Sequence, residues 1–141
     1  MIAVDTNILV HAHREESPWH EAAIACLAGL GSRRWALPWP CIHEFLAIVT
    51  HARIFDPPSP PARALAAAGG WLESPTLSLL SELDGYWDVL SDLVHGSRVS
   101  GPRIHDARIA ALCLQHGVDE LWTVDRDFSR FARLKTRNPL E

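Results

Sequence analysis

Residues Pro102–Asp125 read PRIHDARIAALCLQHGVDELWTVD. Two periodicities meet in this stretch. Ile109, Ala110 and Cys113 recur at the three- and four-residue spacing of a buried helix face, and Asp106 shares their stripe. Pro102 suits a first helical turn, and His116-Gly117 ends the run. Leu121–Val124 then forms a short apolar strand that stops at Asp125. The beginning of the chain repeats that strand pattern, with Ile2–Val4 ending on Asp5.

Outward from these two points the same alternation continues. Helical patterns are predicted from Ser17-Pro18 to Leu30, over Cys41–Ala52, over Pro61–Leu72 with an interruption at Gly69-Gly70, and over Gly85–Val94. Strands are predicted at Trp35–Leu37, cut short by Pro38 and Pro40, at Thr76–Leu80, and near Leu134–Thr136. A short helical turn is expected at Asp127–Phe131, and DPPSPPARALAAA at Asp56–Ala68 is a connector rather than a domain boundary. Strands alternating with helices imply parallel pairing and a sheet covered on both faces. The expected fold is a single α/β domain over residues 1–141, a three-layer α/β/α sandwich with a central, mostly parallel sheet. Ligands in such folds bind outside the carboxyl ends of the strands.

Composition removes several classes of protein. With 141 residues, 48% hydrophobic and 21% charged, the chain has ordinary globular composition, so bulk disorder is excluded. Ala22–Leu30 is the longest uncharged apolar run, far short of the ~20 residues of a bilayer span, and MIAVDTN lacks the basic start of a secretory signal. A net charge of −4 is no basic nucleic-acid glove. All basic residues except Lys135 are arginine, which suits forked phosphate contacts. Cys26, Cys41 and Cys113 are odd in number, widely spaced and set in apolar runs. They read as reduced core thiols of a cytoplasmic protein.

The acids carry the chemistry. Asp5 and Asp125 end strands, Asp106 lies on an apolar helix stripe, and Glu44 falls with Cys41, Phe45 and Ile48 inside another apolar arc. One strand-end aspartate is commonly just a helix cap, and one stripe acid just a partner for Arg103 or Arg108. Four together point to a shared site. Two such charges ~4 Å apart repel by roughly 4 kcal/mol at an effective dielectric near 20, so either some acids are protonated or a divalent cation sits among them. An all-oxygen set suits Mg²⁺, or Mn²⁺, better than Zn²⁺, and a held divalent ion can activate water against a phosphodiester. Asp127 is a possible fifth member.

Other signals are weaker. His11 and His13 do not share a helix face. His43-Glu44 begins a zinc-protease motif, but Ala47 stands where the second histidine belongs. His43 and His105 adjoin candidate acids and read as surface or supporting groups. Trp19, Trp35, Trp71, Trp87 and Trp122 read as core or dimer face, whereas Trp39, between two prolines, is the candidate for stacking on a base. Arg103 and Arg108 are candidate phosphate contacts beside the acids.

These residues also carry a resemblance. VDTNILV at Val4–Val10, Glu44, HDARIAALCLQHG at His105–Gly117 and TVDRDF at Thr123–Phe128, in that order, resemble the signature blocks of the PIN domain, in particular those of VapC-type toxins of bacterial toxin–antitoxin pairs. With RNPL at Arg137–Leu140 the resemblance spans essentially the whole chain. It implies a Mg²⁺-dependent endoribonuclease in which Asp5, Glu44, Asp106 and Asp125 bind metal and Asp127 lies at the periphery. Thr6, Asn7 and Thr123 match polar positions that orient the carboxylates. It further implies a homodimer, an RNA substrate and a cognate VapB-type antitoxin that sets a basic side chain at the acids. One departure stands out: after Glu44 the helix continues Phe45-Leu46-Ala47-Ile48, without the basic residue often found there. The alternatives are a related metal-dependent nuclease that acts on DNA or is not a toxin, and a catalytically silent module that binds RNA or a partner. A phosphoacceptor module needs paired acids near the start and a late lysine. Only Asp5 and a misplaced Lys135 are present.

Overall fold

The computed structural model describes residues 1–141. In chain order the elements are β1 (Ile2–Val4), α1 (Thr6–His13), α2 (His20–Leu30), β2 (Trp35–Pro38), α3 (Trp39–Val49), α4 (Pro61–Leu72), β3 (Leu77–Leu80), α5 (Tyr86–Ser97), α6 (Ile104–Gln115), β4 (Glu120–Trp122) and β5 (Thr136–Arg137). Single 3₁₀ turns occupy Gly101–Arg103 and Arg126–Arg130.

The five strands form one sheet in the order β3-β2-β1-β4-β5, and every pair is parallel. Strand residues alternate between two cores, as a period of two requires. Ala3, Ala36 and Leu121 face one layer, which α5 and α6 fill with Leu93, Ala107, Ala110 and Cys113. Ile2, Val4, Trp35, Leu37 and Trp122 face the other, packed by Leu9, Leu30, Phe45 and Ala64 of the remaining helices. The three-layer sandwich expected from the sequence is therefore present, and the sheet is parallel throughout. Chain order reverses on either side of β1, so the crevice between β1 and β4 is the switch point at which such folds bind ligands.

Element boundaries differ in physically informative ways. The helix expected from Ser17-Pro18 begins at His20, because Ser17 closes a turn first, its carbonyl accepting from His20 N–H and its hydroxyl from Trp19 N–H. Pro38 and Pro40 do not merely cut a strand short. Pro38 is the last residue of β2 and caps α3, and Pro40 sits in the first turn, where a missing N–H costs nothing. The end of α3 is Val49 rather than Ala52, since Ser59 N–H takes the Val49 carbonyl at 2.7 Å. Gly69-Gly70 does not interrupt α4, which runs unbroken to Leu72. Helix α5 runs past Val94 to Ser97 and stops where Arg98 turns left-handed. The last strand falls at Thr136–Arg137 rather than Leu134–Thr136.

No helix is long and apolar enough to cross a membrane. All three cysteines are free thiols, Cys41 and Cys113 fully buried and Cys26 partly so. Trp35 and Trp122 lie in the core as expected, whereas Trp19 and Trp87 are exposed.

Candidate active site

Asp5 is placed by three local rules at once. Its N–H continues the ladder, donating to the Trp122 carbonyl at 2.9 Å. Its extended backbone caps α1, with Oδ1 accepting from Thr6 N–H at 2.8 Å. Its Oδ2 accepts from the Thr123 hydroxyl at 2.7 Å and from Asn7 Nδ2 at 3.2 Å. The cap reading of this residue is therefore correct, and the cap leaves Asp5 at the carboxyl edge of the sheet. Asp5 is only 5% exposed and has neutral donors alone around it. Burial, with smaller contributions from Glu44 and Asp106, pushes its carboxyl up to about 6, against the pull of the Thr123 and Thr6 hydrogen bonds.

The other acids arrive from separate elements. Asp106, in the first turn of α6, is half-buried beside Ala107, Ile109 and Ala110. Burial raises its carboxyl, the Arg103 hydrogen bond pulls it down, and Asp125 and Asp127 raise it further. Asp125 lies beyond the end of β4 and caps the following 3₁₀ turn, with Oδ1 accepting from Asp127 N–H at 2.9 Å. Glu44 corrects an expectation. It is exposed, because α3 buries Cys41, Ile42, Phe45 and Val49 and leaves Glu44 at the margin of that face. From there it still meets the site: Oε2 accepts from the Thr6 hydroxyl at 3.2 Å.

Asp5, Glu44, Asp106 and Asp125 line one cavity of about 310 Å³, together with Thr6 and Asn7. Ile48, Ile109 and Phe128 form an apolar wall. Thr6, Asn7 and Thr123 tie the acids to one another. Asn7 Nδ2 also donates to Thr123 Oγ1, its Oδ1 accepts from Val124 N–H, and Thr123 Oγ1 accepts from Asp125 N–H. The donor set is all oxygen, mostly carboxylate, around a deeply buried Asp5. That chemistry fits a hard divalent cation. No three acidic or histidine side chains are already gathered tightly enough to grip a single ion.

Arg103 takes the ion-pair place that its spacing from Asp106 allowed, and extends it to two further acids. Its guanidinium pairs with Asp106 at 3.3 Å, Asp125 at 3.8 Å and Asp127, and so lies among the acids. Asp127 is held there and stays outside the cavity lining. Arg108 pairs loosely with Glu82 at 3.8 Å and faces an adjoining cleft of about 520 Å³ that also presents His43, His105, Glu44 and Asp106. Trp39 is half-buried, stacks on His43, and lines neither space.

Two residues escaped sequence reasoning. His11 lines the acid cavity, and burial lowers its pKa. Its spacing of one turn from Asn7 on α1 was the available signal. Cys41 Sγ lies 3.7 Å from Asp5 Oδ1. Burial raises the Cys41 thiol well above its usual range and pushes that of Cys113 to about 12, so neither is a thiolate nucleophile.

The chain is 31% identical over 139 residues to Ribonuclease VapC48 of Mycobacterium tuberculosis, covering 96% of this chain and 94% of that protein. It is 32% identical over 143 residues to Ribonuclease VapC43 of the same organism, covering 100% and 97%. Among solved structures it superposes on VapBC2 from Rickettsia felis bound to a promoter DNA fragment, with a TM-score of 0.73, 17% identity and coverage of 97% and 98%. It also superposes on Mycobacterium tuberculosis VapC20, described as a sarcin-ricin loop cleaving toxin, with a TM-score of 0.66, 19% identity and coverage of 92% and 93%. The PIN domain model matches residues 2–134. With that match taking in every acid of the cavity, the chain belongs to the PIN domain family.

Proposed function

We propose that this chain is a metal-dependent endoribonuclease, the toxin of a VapBC-type toxin–antitoxin pair, acting in the cytoplasm. The observation that carries the chemistry is the convergence of Asp5, Glu44, Asp106 and Asp125 on one cavity at the β1/β4 switch point. The names of the relatives, ribonucleases of the VapC type, supply the substrate class, and the neighbour described as a sarcin-ricin loop cleaving toxin supports the toxin role. The antitoxin assignment draws on neighbours described as VapBC complexes.

Asp5, Glu44, Asp106 and Asp125 would hold Mg²⁺, with Mn²⁺ an acceptable substitute, and Asp127 would contribute from the edge. Such an ion supplies Lewis acidity to a phosphodiester and acidifies water near it. The protein residues do the positioning. The Thr6 N–H holds Asp5 Oδ1 while Thr123 and Asn7 hold its Oδ2, which fixes the carboxylate in a single orientation, and the Thr6 hydroxyl joins it to Glu44. Ile48, Ile109 and Phe128 give the cavity apolar lining beside the acids. Arg108, in the adjoining cleft, is placed to take a neighbouring RNA phosphate, and the Trp39–His43 stack is a platform for a base. We assign the active species as a homodimer.

The test compares wild type with Asp5→Asn and Asp106→Asn in an RNA cleavage assay with Mg²⁺. Both variants are expected to lose cleavage and growth arrest while keeping the wild-type circular dichroism spectrum. Cleavage retained by either one removes that residue from the mechanism.

A further inference from the structure

Arg103 divides the acid site into two unlike halves. The inner half, Asp5 and Glu44, is satisfied by neutral donors: Thr6 N–H and hydroxyl, the Thr123 hydroxyl and Asn7 Nδ2. The outer half, Asp106, Asp125 and Asp127, is bridged by one guanidinium. That bridge uses Asp106 Oδ2 and Asp125 Oδ2, two of the oxygens a divalent ion needs. It also ties both acids to Asp127, which lies off the cavity lining. The side chain is 39% exposed and springs from the 3₁₀ turn Gly101–Arg103 in front of α6. It can leave without disturbing either core.

We propose that Arg103 is a built-in counter-ion that competes with the divalent cation for Asp106 and Asp125 and is displaced when the cation binds. The inference rests on the reading of these acids as a metal site. Its physical basis is electrostatic: a guanidinium and a divalent cation drawn to the same two carboxylates repel each other at that range. Mg²⁺ demands near-octahedral oxygens at ~2.0–2.1 Å, so the carboxylates must turn from the positions in which the guanidinium holds them. Once released from Asp106 and Asp125, the fork stands at the rim of the cavity held by Asp127 alone, with its freed edge suited to an RNA phosphate. Metal uptake and exposure of a phosphate-binding cation are then one event.

The experiment measures Mn²⁺ binding to the full chain without RNA, by calorimetry and by loss of the free Mn²⁺ electron paramagnetic resonance signal. Wild type is compared with Arg103→Gln, Arg103→Lys, Arg108→Gln and Asp5→Asn. Arg103→Gln is expected to bind Mn²⁺ roughly threefold to tenfold more tightly, the scale of one or two exposed ion pairs, while Arg108→Gln, with the same change in net charge, stays within about twofold of wild type. Arg103→Lys, which keeps the charge but loses the fork, should fall between wild type and Arg103→Gln, and it serves as the test if the glutamine variant does not fold. Weaker or unchanged binding by Arg103→Gln overturns the proposal, as does equal tightening by Arg108→Gln. If wild-type binding is abolished by Asp5→Asn but indifferent to Arg103, the metal site stands and the competition does not. Absence of Mn²⁺ binding by wild type overturns the metal reading and this inference with it.

Discussion

Asp5 keeps its proton to about pH 6 because folding removes it from water and, to a smaller degree, sets Glu44 and Asp106 near it, which together outweigh the Thr123 and Thr6 hydrogen bonds. The unfolded chain releases that proton near 3.8. Between these values the folded state binds the proton more tightly, so this residue's contribution to stability falls as pH rises from about 4 to about 6 and is constant above. Ionising a carboxyl held at about 6 instead of 3.8 costs the folded state roughly 3 kcal/mol at neutral pH. Asparagine retains the ability to cap α1 and carries no charge. In urea titrations without divalent ions, Asp5→Asn is therefore expected to lack the decline that wild type shows between pH 4 and pH 6.5. Parallel curves for the two proteins would show that Asp5 is not the titrating group. The sequence made Asp5 legible through its place at a strand end, but not this proton affinity, which comes from the depth of its burial and is only partly offset by the hydrogen bond from Thr123, just beyond the neighbouring β4.

At the scale of elements, the sequence pattern was a good guide to most of what forms, α1 at Thr6–His13 excepted, and a poorer guide to where it stops. The strands were readable because apolar side chains are needed on both faces of a covered sheet. The helix ends were decided by partners distant in sequence, as when Ser59 takes the Val49 carbonyl. The Gly69-Gly70 pair in α4 is the clearest mismatch between local preference and outcome. Packing of Ala64 and Ala68 into the core holds that helix through a pair that would weaken it in isolation. Neither glycine has a neighbour within 4 Å of an added Cβ, and neither has a positive φ. Gly69→Ala and Gly70→Ala should each stabilise the protein by about 0.5–1 kcal/mol in urea denaturation, through loss of unfolded-state freedom. Gly117→Ala should destabilise instead, since Gly117 sits at φ +68 after α6. A stabilising effect there would contradict the turn geometry.

For the whole molecule, the site exists only because the topology places β1 beside β4, and α3 and α6 bring Glu44 and Asp106 to the same edge. The acids were legible individually, by their unusual positions. Their arginine partner was not, because spacing alone showed that Arg103 could meet Asp106 but not that it would also span Asp125 and Asp127. A ligand that binds only the assembled site stabilises the fold by mass action, by about 2.7 kcal/mol at a hundred times its Kd. Mg²⁺ or Mn²⁺ should accordingly raise the melting temperature of wild type and not that of Asp106→Asn, and chelation should reverse the rise. Equal shifts in both proteins would point to ions bound elsewhere.

The parallel pairing of β1 with β4 also sets an order of assembly during translation. A nascent chain whose synthesis has reached α6 already carries Asp5, Glu44 and Asp106, yet Asp5 still lacks the Thr123 hydroxyl and the Trp122 carbonyl that orient it. A fragment that ends before β4 also lacks Asp125, so the acid cavity is complete only once the fourth strand docks.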